Sequence, residues 1–215
     1  MRYDAFVQPL DPLQGISADA LRDTLKRYDL AGSGLYTCLS RQAVTLRSLT
    51  LPSMDPHEVA DMIDLQVGKQ TPYSKEEIVF DYLRSGLGGK GYTRVMLAIA
   101  QRSVLRSRYS LLEEAGAQVA RMSISTEGIL NWYRASQKPG RRGEGTLILD
   151  VDSGFTDLVV VESNRLVFSR SVLIGAVRIL EDLSGSAERL GKEVRNSLSA
   201  LEAEVHDVQL KNIIV

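Results

Sequence analysis

The stretch that most restricts how this chain can fold is residues 146–173, where three apolar runs follow one another with very short turns between them. Thr146–Val151 (TLILDV) and Thr156–Glu162 (TDLVVVE) each read as a strand of the buried kind. Asn164 turns the chain into a third, Leu166–Leu173, which Gly175 ends. A helix carrying Val177 and Leu180 on one face comes next. Ser186 then opens a long helix with Leu190, Val194, Leu198, Leu201 and Val205 on one stripe. Lys211–Val215 (KNIIV) looks like another strand beginning. Strands and helices in this order make the chain α/β.

Upstream, the run QKPGRRGEG at 137–145 is the clearest internal break and reads as a solvated loop, with a basic ligand patch as the alternative. Before it, residues 1–16 carry turn-prone breaks at Pro9, Pro12 and Gly15. Ser17 can cap a helix whose apolar face is Leu21, Leu25 and Tyr28. Two strands follow, Leu35–Leu39 and Ala43–Leu51. Asp55, Pro56 and Glu58 then mark the start of a helix with Val59, Met62, Ile63 and Val67 on one stripe. Ile78, Phe80 and Tyr82 alternate as in a half-buried strand, and Tyr92–Ile99 is more continuously apolar. Between them SGLGGKG at 85–91 is a hairpin turn rather than a phosphate loop, because a strand and not a helix comes after it. Helices over Gln101–Ala115 and Thr126–Ala135 flank a short strand near Val119.

Bulk properties exclude several jobs. The 215 residues carry 26 basic and 27 acidic side chains, a net charge of −1, which gives no general pull toward nucleic acid or anionic lipid. No apolar run approaches the roughly 18 residues of a membrane span. The N-terminus lacks the pattern of a signal peptide. The single cysteine, Cys38, gives no disulfide, redox or zinc pattern and reads as buried packing. These features fit a cytoplasmic protein.

One place could hold chemistry: the turn in Leu149-Asp150-Val151-Asp152-Ser153-Gly154-Phe155-Thr156-Asp157-Leu158. A tight turn with small residues and a hydroxyl can aim backbone N–H groups at a phosphate, and a nearby carboxylate can hold Mg²⁺ through water. The plainer reading is a β-hairpin with Gly154 where positive φ is needed. His57 and His206 are the only histidines, and both read as exposed surface residues. Trp132 and Tyr133 read as helix packing. No HExxH, GxSxG or GxxxxGK[ST] motif occurs, and neither a catalytic residue nor a metal site can be singled out.

Three stretches together resemble the type IV pilus assembly protein PilM family. Leu51-Pro52, the capped helix 55–70 and QTPYSKEEIVFDY at 70–82 follow its pattern of strand-end LP, helix, aromatic-and-proline turn and acidic strand. LILDVDSGFTDLVVVESNRLVFSRSVLIG at 147–175 is similar to its DIGxxxTxL strand, hairpin and final I-G. LGKEVRNSL at 190–198 matches the helix after it. Order and spacing, not any single motif, carry the likeness, which runs over nearly the whole chain.

The resemblance implies an actin-like (ribonuclease H-like) α/β fold related to the cell-division protein FtsA. Residues 1–42 would be part of a first actin-like subdomain and 43–120 an inserted strand–helix–strand–strand subdomain. Residues 121–144 would be a helix and linker, and 145–215 part of a second actin-like subdomain. It also implies a cytoplasmic scaffold at the inner membrane of a type IV pilus or type II secretion machine, gripping the tail of a PilN-like membrane protein, with a second copy as a further partner. Family members bind ATP, which here would place Asp150, Ser153, Gly154 and Thr156 around the phosphates. The sequence departs from that pattern: Asp152 stands where the motif has glycine, adding a charge that repels phosphate. The family's other two nucleotide-contacting elements would precede residue 1 and follow Ile213–Val215. A scaffold without a working ATP site is therefore the expected function. An actin-like ATPase or small-molecule kinase with a degenerate site is the alternative. An FtsA-type division protein is the third reading, for which an amphipathic C-terminal membrane helix would be expected.

Overall fold

The computed structural model describes residues 17–30, 32–87, 89–138, 140–205 and 208–215. The lead-in 1–16, Gly88 of the glycine-rich turn, Pro139 of the 137–145 loop and His206 lie outside them. The helices are α1 (Ala18–Arg27), α2 (Pro56–Gln66), α3 (Arg102–Glu114), α4 (Ser125–Ser136), α5 (Ala176–Glu181) and α6 (Leu183–Glu204). The strands are β1 (Gly34–Leu39), β2 (Val44–Leu51), β3 (Ile78–Leu87), β4 (Thr93–Gln101), β5 (Gln118–Ile124), β6 (Glu144–Val151), β7 (Thr156–Glu162), β8 (Arg165–Val172) and β9 (Gln209–Ile214). They fall into two compact units, Met1–Thr37 with Ser103–Met122, and Cys38–Arg102 with Ser123–Val215.

In the smaller unit the Ser17 hydroxyl caps α1 by accepting from the Ala20 N–H at 3.1 Å. Leu25 is buried with Leu112, Ala115 and Ala117, and Leu21 packs against them. Tyr28 lies one residue past the end of α1 and stays largely exposed, so it leaves the expected apolar face. Gly116 stops α3 in the left-handed region at φ 81°, where its N–H and that of Ala117 close back onto Glu113 and Leu112. This paired closure satisfies the last carbonyls of the helix, and glycine adopts the required φ without steric penalty.

The larger unit holds two sheets. β2, β4 and β3 form an antiparallel sheet in that order, with α2 across one face. Val59, Ile63 and Val67 recur every four residues along α2 and its final turn and are wholly buried against Val95, Leu97 and Ile99. Each such burial is worth about 1.5–3 kcal/mol. Asp55 caps α2 by accepting from the His57 and Glu58 N–H groups at 2.8 and 3.1 Å. These same two bonds, Glu58's first, hold its carboxyl below the usual range. The Glu58 carboxylate accepts from the Ser53 hydroxyl at 2.5 Å.

The second sheet has the order β8-β7-β6-β9, antiparallel except for β9, which runs parallel to β6. Ser163 and Asn164, at φ 48° and 63°, form the two-residue turn between β7 and β8. Two left-handed residues give a turn whose twist matches its strands. One face of the sheet packs Leu147, Leu158 and Val160 on Leu201 of α6 and on Val205, the residue that ends it. The other receives α4, through Thr126 to Ser169 at 3.3 Å and Tyr133 to Thr146 at 3.2 Å.

Three further expectations are corrected. α6 begins at Leu183 rather than Ser186, because Asp182 caps it through the Gly185 N–H at 2.9 Å. Cys38 is exposed, since strand alternation sends Leu39 inward instead. Tyr133 is buried, but its neighbour Trp132 on α4 is half exposed.

Candidate functional site

The β6–β7 turn is a tight hairpin in which the Asp152 N–H donates to Phe155 O at 2.9 Å. This closure sets the ladder so that Asp150 faces Asp157. β8 adds Ser171 on the far side of Asp157, and the three polar side chains stand in one row across the sheet. α5 then folds back onto the turn. Its Ala176 and Val177 N–H groups donate to Asp152 O and Ser153 O at 2.8 and 3.0 Å. Gly175, which precedes α5, lies so close that a Cβ there would stand 2.4 Å from the Phe155 nitrogen. Only glycine fits against that backbone.

The four residues expected around phosphates are together in this turn, each in a particular state. Thr156 is fully buried, and its hydroxyl donates to Ile174 O at 2.7 Å. Ser153 is exposed, and its N–H donates to the Asp152 carboxylate at 2.6 Å. Gly154 has open space around it and no positive φ, which corrects the expectation that the turn needs glycine for that reason. Asp150 reaches solvent at the rim, yet partial burial and then the Asp152 charge raise its pKa.

Such a turn fits a triphosphate poorly. The Asp152 and Ser153 N–H groups already have acceptors, and for Ser153 the acceptor is a carboxylate in the position of an anion. The Thr156 hydroxyl is committed as well, to Ile174 O. Hydrogen bonds of this kind must be broken before the groups can serve a ligand, so a phosphate gains little there. Among the described residues, no group of three or more His, Cys, Asp and Glu is placed to share a metal ion.

Behind the turn lies a buried polar cluster that sequence reasoning missed. Asp157 is 1% exposed, and burial raises its pKa, against the pull of Ser171 and Arg41 in the other direction. Its Oδ2 receives a long hydrogen bond from Ser125 Oγ at 3.4 Å, while Asp157 Oδ1 and Ser171 Oγ complete none of normal geometry. Arg41, in the short turn before β2, donates through Nε to Ser169 Oγ at 3.0 Å and through Nη2 to Ser169 O at 2.9 Å. Its Nη1 donates to Val44 O at 2.7 Å, and its N–H to Ser125 Oγ at 2.9 Å. Arg41 thus ties the start of β2 to β8 and α4 and places a cation by the buried carboxylate. Asp157 could have been found by counting back across a closed hairpin from Asp150. Arg41, far away in sequence, left no local signal.

The sequence matches the family described as Type IV pilus assembly protein PilM over residues 12–187. Among solved structures, the PilM-PilN type IV pilus biogenesis complex aligns with a TM-score of 0.63 at 18% identity, covering 93% of this chain. The chain spans 63% of the length of that matched chain. The cytoplasmic domain of Epsl, an inner membrane component of the type II secretion system of Vibrio cholerae, aligns with a TM-score of 0.49 at 16% identity. That alignment covers 73% of this chain and 57% of the Epsl domain.

Proposed function

The chain belongs to the type IV pilus assembly protein PilM family and has its actin-like α/β fold, and from this we propose that it is a scaffold binding the cytoplasmic tail of a PilN-like inner-membrane protein. The observation that carries the reading is the family match over residues 12–187. The likeness in fold to a chain solved in a PilM-PilN complex supports it. An extended tail docked on a folded domain gains affinity from main-chain hydrogen bonds and specificity from side-chain pockets. Such a role needs no reaction, and the internally satisfied β6–β7 turn is in keeping with that. In this reading the protein works on the cytoplasmic side of the inner membrane, held there by its partner. Among the described residues no helix is long and apolar enough to cross a membrane. The machine served is a type IV pilus or a type II secretion system.

The test is a binding titration of the full chain with a synthetic peptide copying the cytoplasmic tail of the membrane-spanning protein encoded beside it. Saturable binding in the micromolar range is expected, and a scrambled peptide should fail. No binding at high micromolar peptide overturns the proposal.

A further inference from the structure

The loop 137–145 and the elements around it gather cations that the tail-binding reading leaves unused. α4 ends at Ser136, and Lys138, Arg141 and Arg142 follow it, all exposed. The Glu144 N–H closes a turn onto Arg141 O at 3.0 Å, and β6 starts there. β7 runs antiparallel to both β6 and β8, so the first residues of β6 and β8 share one end of the sheet. Arg165, the first residue of β8, stands at that end and is also exposed. Arg134 reaches the same end, its Nε donating to Asn164 O at 2.9 Å. Lys138, Arg141, Arg142 and Arg165 make no ion pair among the described residues.

The carboxylates at this end offset them only in part. Glu162 is turned onto the protein, where its Oε1 accepts from the Gly143 N–H at 2.8 Å and the Ser163 hydroxyl at 3.3 Å. Glu144 is half-buried. Glu202 and Glu204 belong to α6, which packs on the opposite face of the sheet from α4. In the last turns of α4 stands Trp132, the only tryptophan of the chain and 49% exposed. Its neighbour Tyr133 reaches Thr146, near the start of β6, at 3.2 Å, which sets this part of α4 at the same end. Leu130 and Tyr133 take the buried side of the helix. We propose that this end of the sheet rests on an anionic lipid surface, with the four cations at the headgroups and Trp132 at the interface.

One cation attracts such a surface weakly, but several at one end add, each raising the partition about fivefold. Indole is favoured where a membrane meets water, because its ring is apolar while its N–H still finds a partner. Single-stranded nucleic acid is bound along a track of several stacking rings, whereas here one ring stands with four cations at a single end. The net charge of −1 confers no long-range pull, so the contact is local and weakens as salt screens it. Four cations give a weak attachment, which adds to a membrane partner's hold instead of replacing it. The inference goes beyond the tail-binding reading and holds with or without it.

Vesicle co-sedimentation of the full chain tests it, with Trp132 fluorescence as a reporter of the site. Vesicles of phosphatidylglycerol and phosphatidylcholine in equal parts should bind the protein and shift the Trp132 emission to the blue. Vesicles of phosphatidylcholine alone should do neither, and high salt should reverse both effects. Arg141→Ala with Arg142→Ala should lower the partition about 25-fold, fivefold for each cation removed, with an unchanged circular dichroism spectrum. Lys192→Ala, which removes an exposed cation in the middle of α6, should bind as the natural chain does. No binding to the mixed vesicles, equal binding to phosphatidylcholine, or binding without the blue shift overturns the proposal. So does a double variant that binds unchanged, or a Lys192→Ala chain that loses as much. An oligonucleotide bound while the mixed vesicles are not would give this surface to nucleic acid instead.

Discussion

Gly175 rests against Asp152: a Cβ at position 175 would stand 2.5 Å from the Asp152 carbonyl oxygen. The contact joins the end of β8 to the β6–β7 turn and lets the first N–H groups of α5 bond to that turn. Closeness, not an unusual φ, makes this position glycine, since its φ of −122° is open to any residue.

Gly175→Ala should therefore lower stability by about 2–3 kcal/mol, because backbone and not a flexible side chain must move. Gly154→Ala, in the same turn, should change little, since a Cβ there meets nothing within 4 Å. Urea unfolding of both variants measures the difference, with the slope expected to stay constant.

Arg41→Met removes three side-chain donors at once, leaving Ser169 O and Val44 O short of partners and Asp157 without its cation. The expected loss is about 3 kcal/mol. Adding Asp157→Asn to that variant should recover part of it, because the stranded carboxylate is the larger liability. A double-mutant cycle reads the coupling.

Asp157 makes stability depend on pH in a defined direction. Burial raises its folded pKa above the ordinary value of 3.8, so the folded state holds the proton longer than the unfolded chain. Its favourable contribution is present below 3.8 and is lost as pH rises through the folded pKa. Asp157→Asn should then gain stability relative to the natural chain as pH rises from 4 toward 7, with little difference at the acid end. Melting temperatures of the two proteins across that range check the sign.

Mg-ATP should give no saturable heat in calorimetry at micromolar protein, either with the natural chain or with Asp152→Gly. The substitution frees the Ser153 N–H, but the Thr156 hydroxyl stays bonded to Ile174 O and Gly175 still closes the turn. Tight binding by either protein would favour the ATPase reading over the scaffold.

Local pattern was enough for much of this molecule. The caps at Ser17 and Asp55, the stripe of Val59, Ile63 and Val67, and the three strands after residue 144 were all legible. Each depends on residues within a few positions of one another, where backbone sterics and helical or strand periodicity act directly. The four residues picked for the β6–β7 turn were brought together for the same reason, since a hairpin is local.

What those residues are free to do was settled elsewhere in the chain. The Thr156 hydroxyl is taken by Ile174, and Asp157 is governed by its burial, with Ser171 and Arg41 pulling the other way. Cys38 and Trp132 point outward, although Leu39 and Tyr133 beside them are buried. Sequence alone determined the elements, the α/β class and the family, because these are written in periodicity, capping and order. Only the tertiary structure decided which polar groups are already satisfied and which apolar ones remain in water, because a hydrogen bond or a burial is made with whatever the fold brings near, at any distance along the chain.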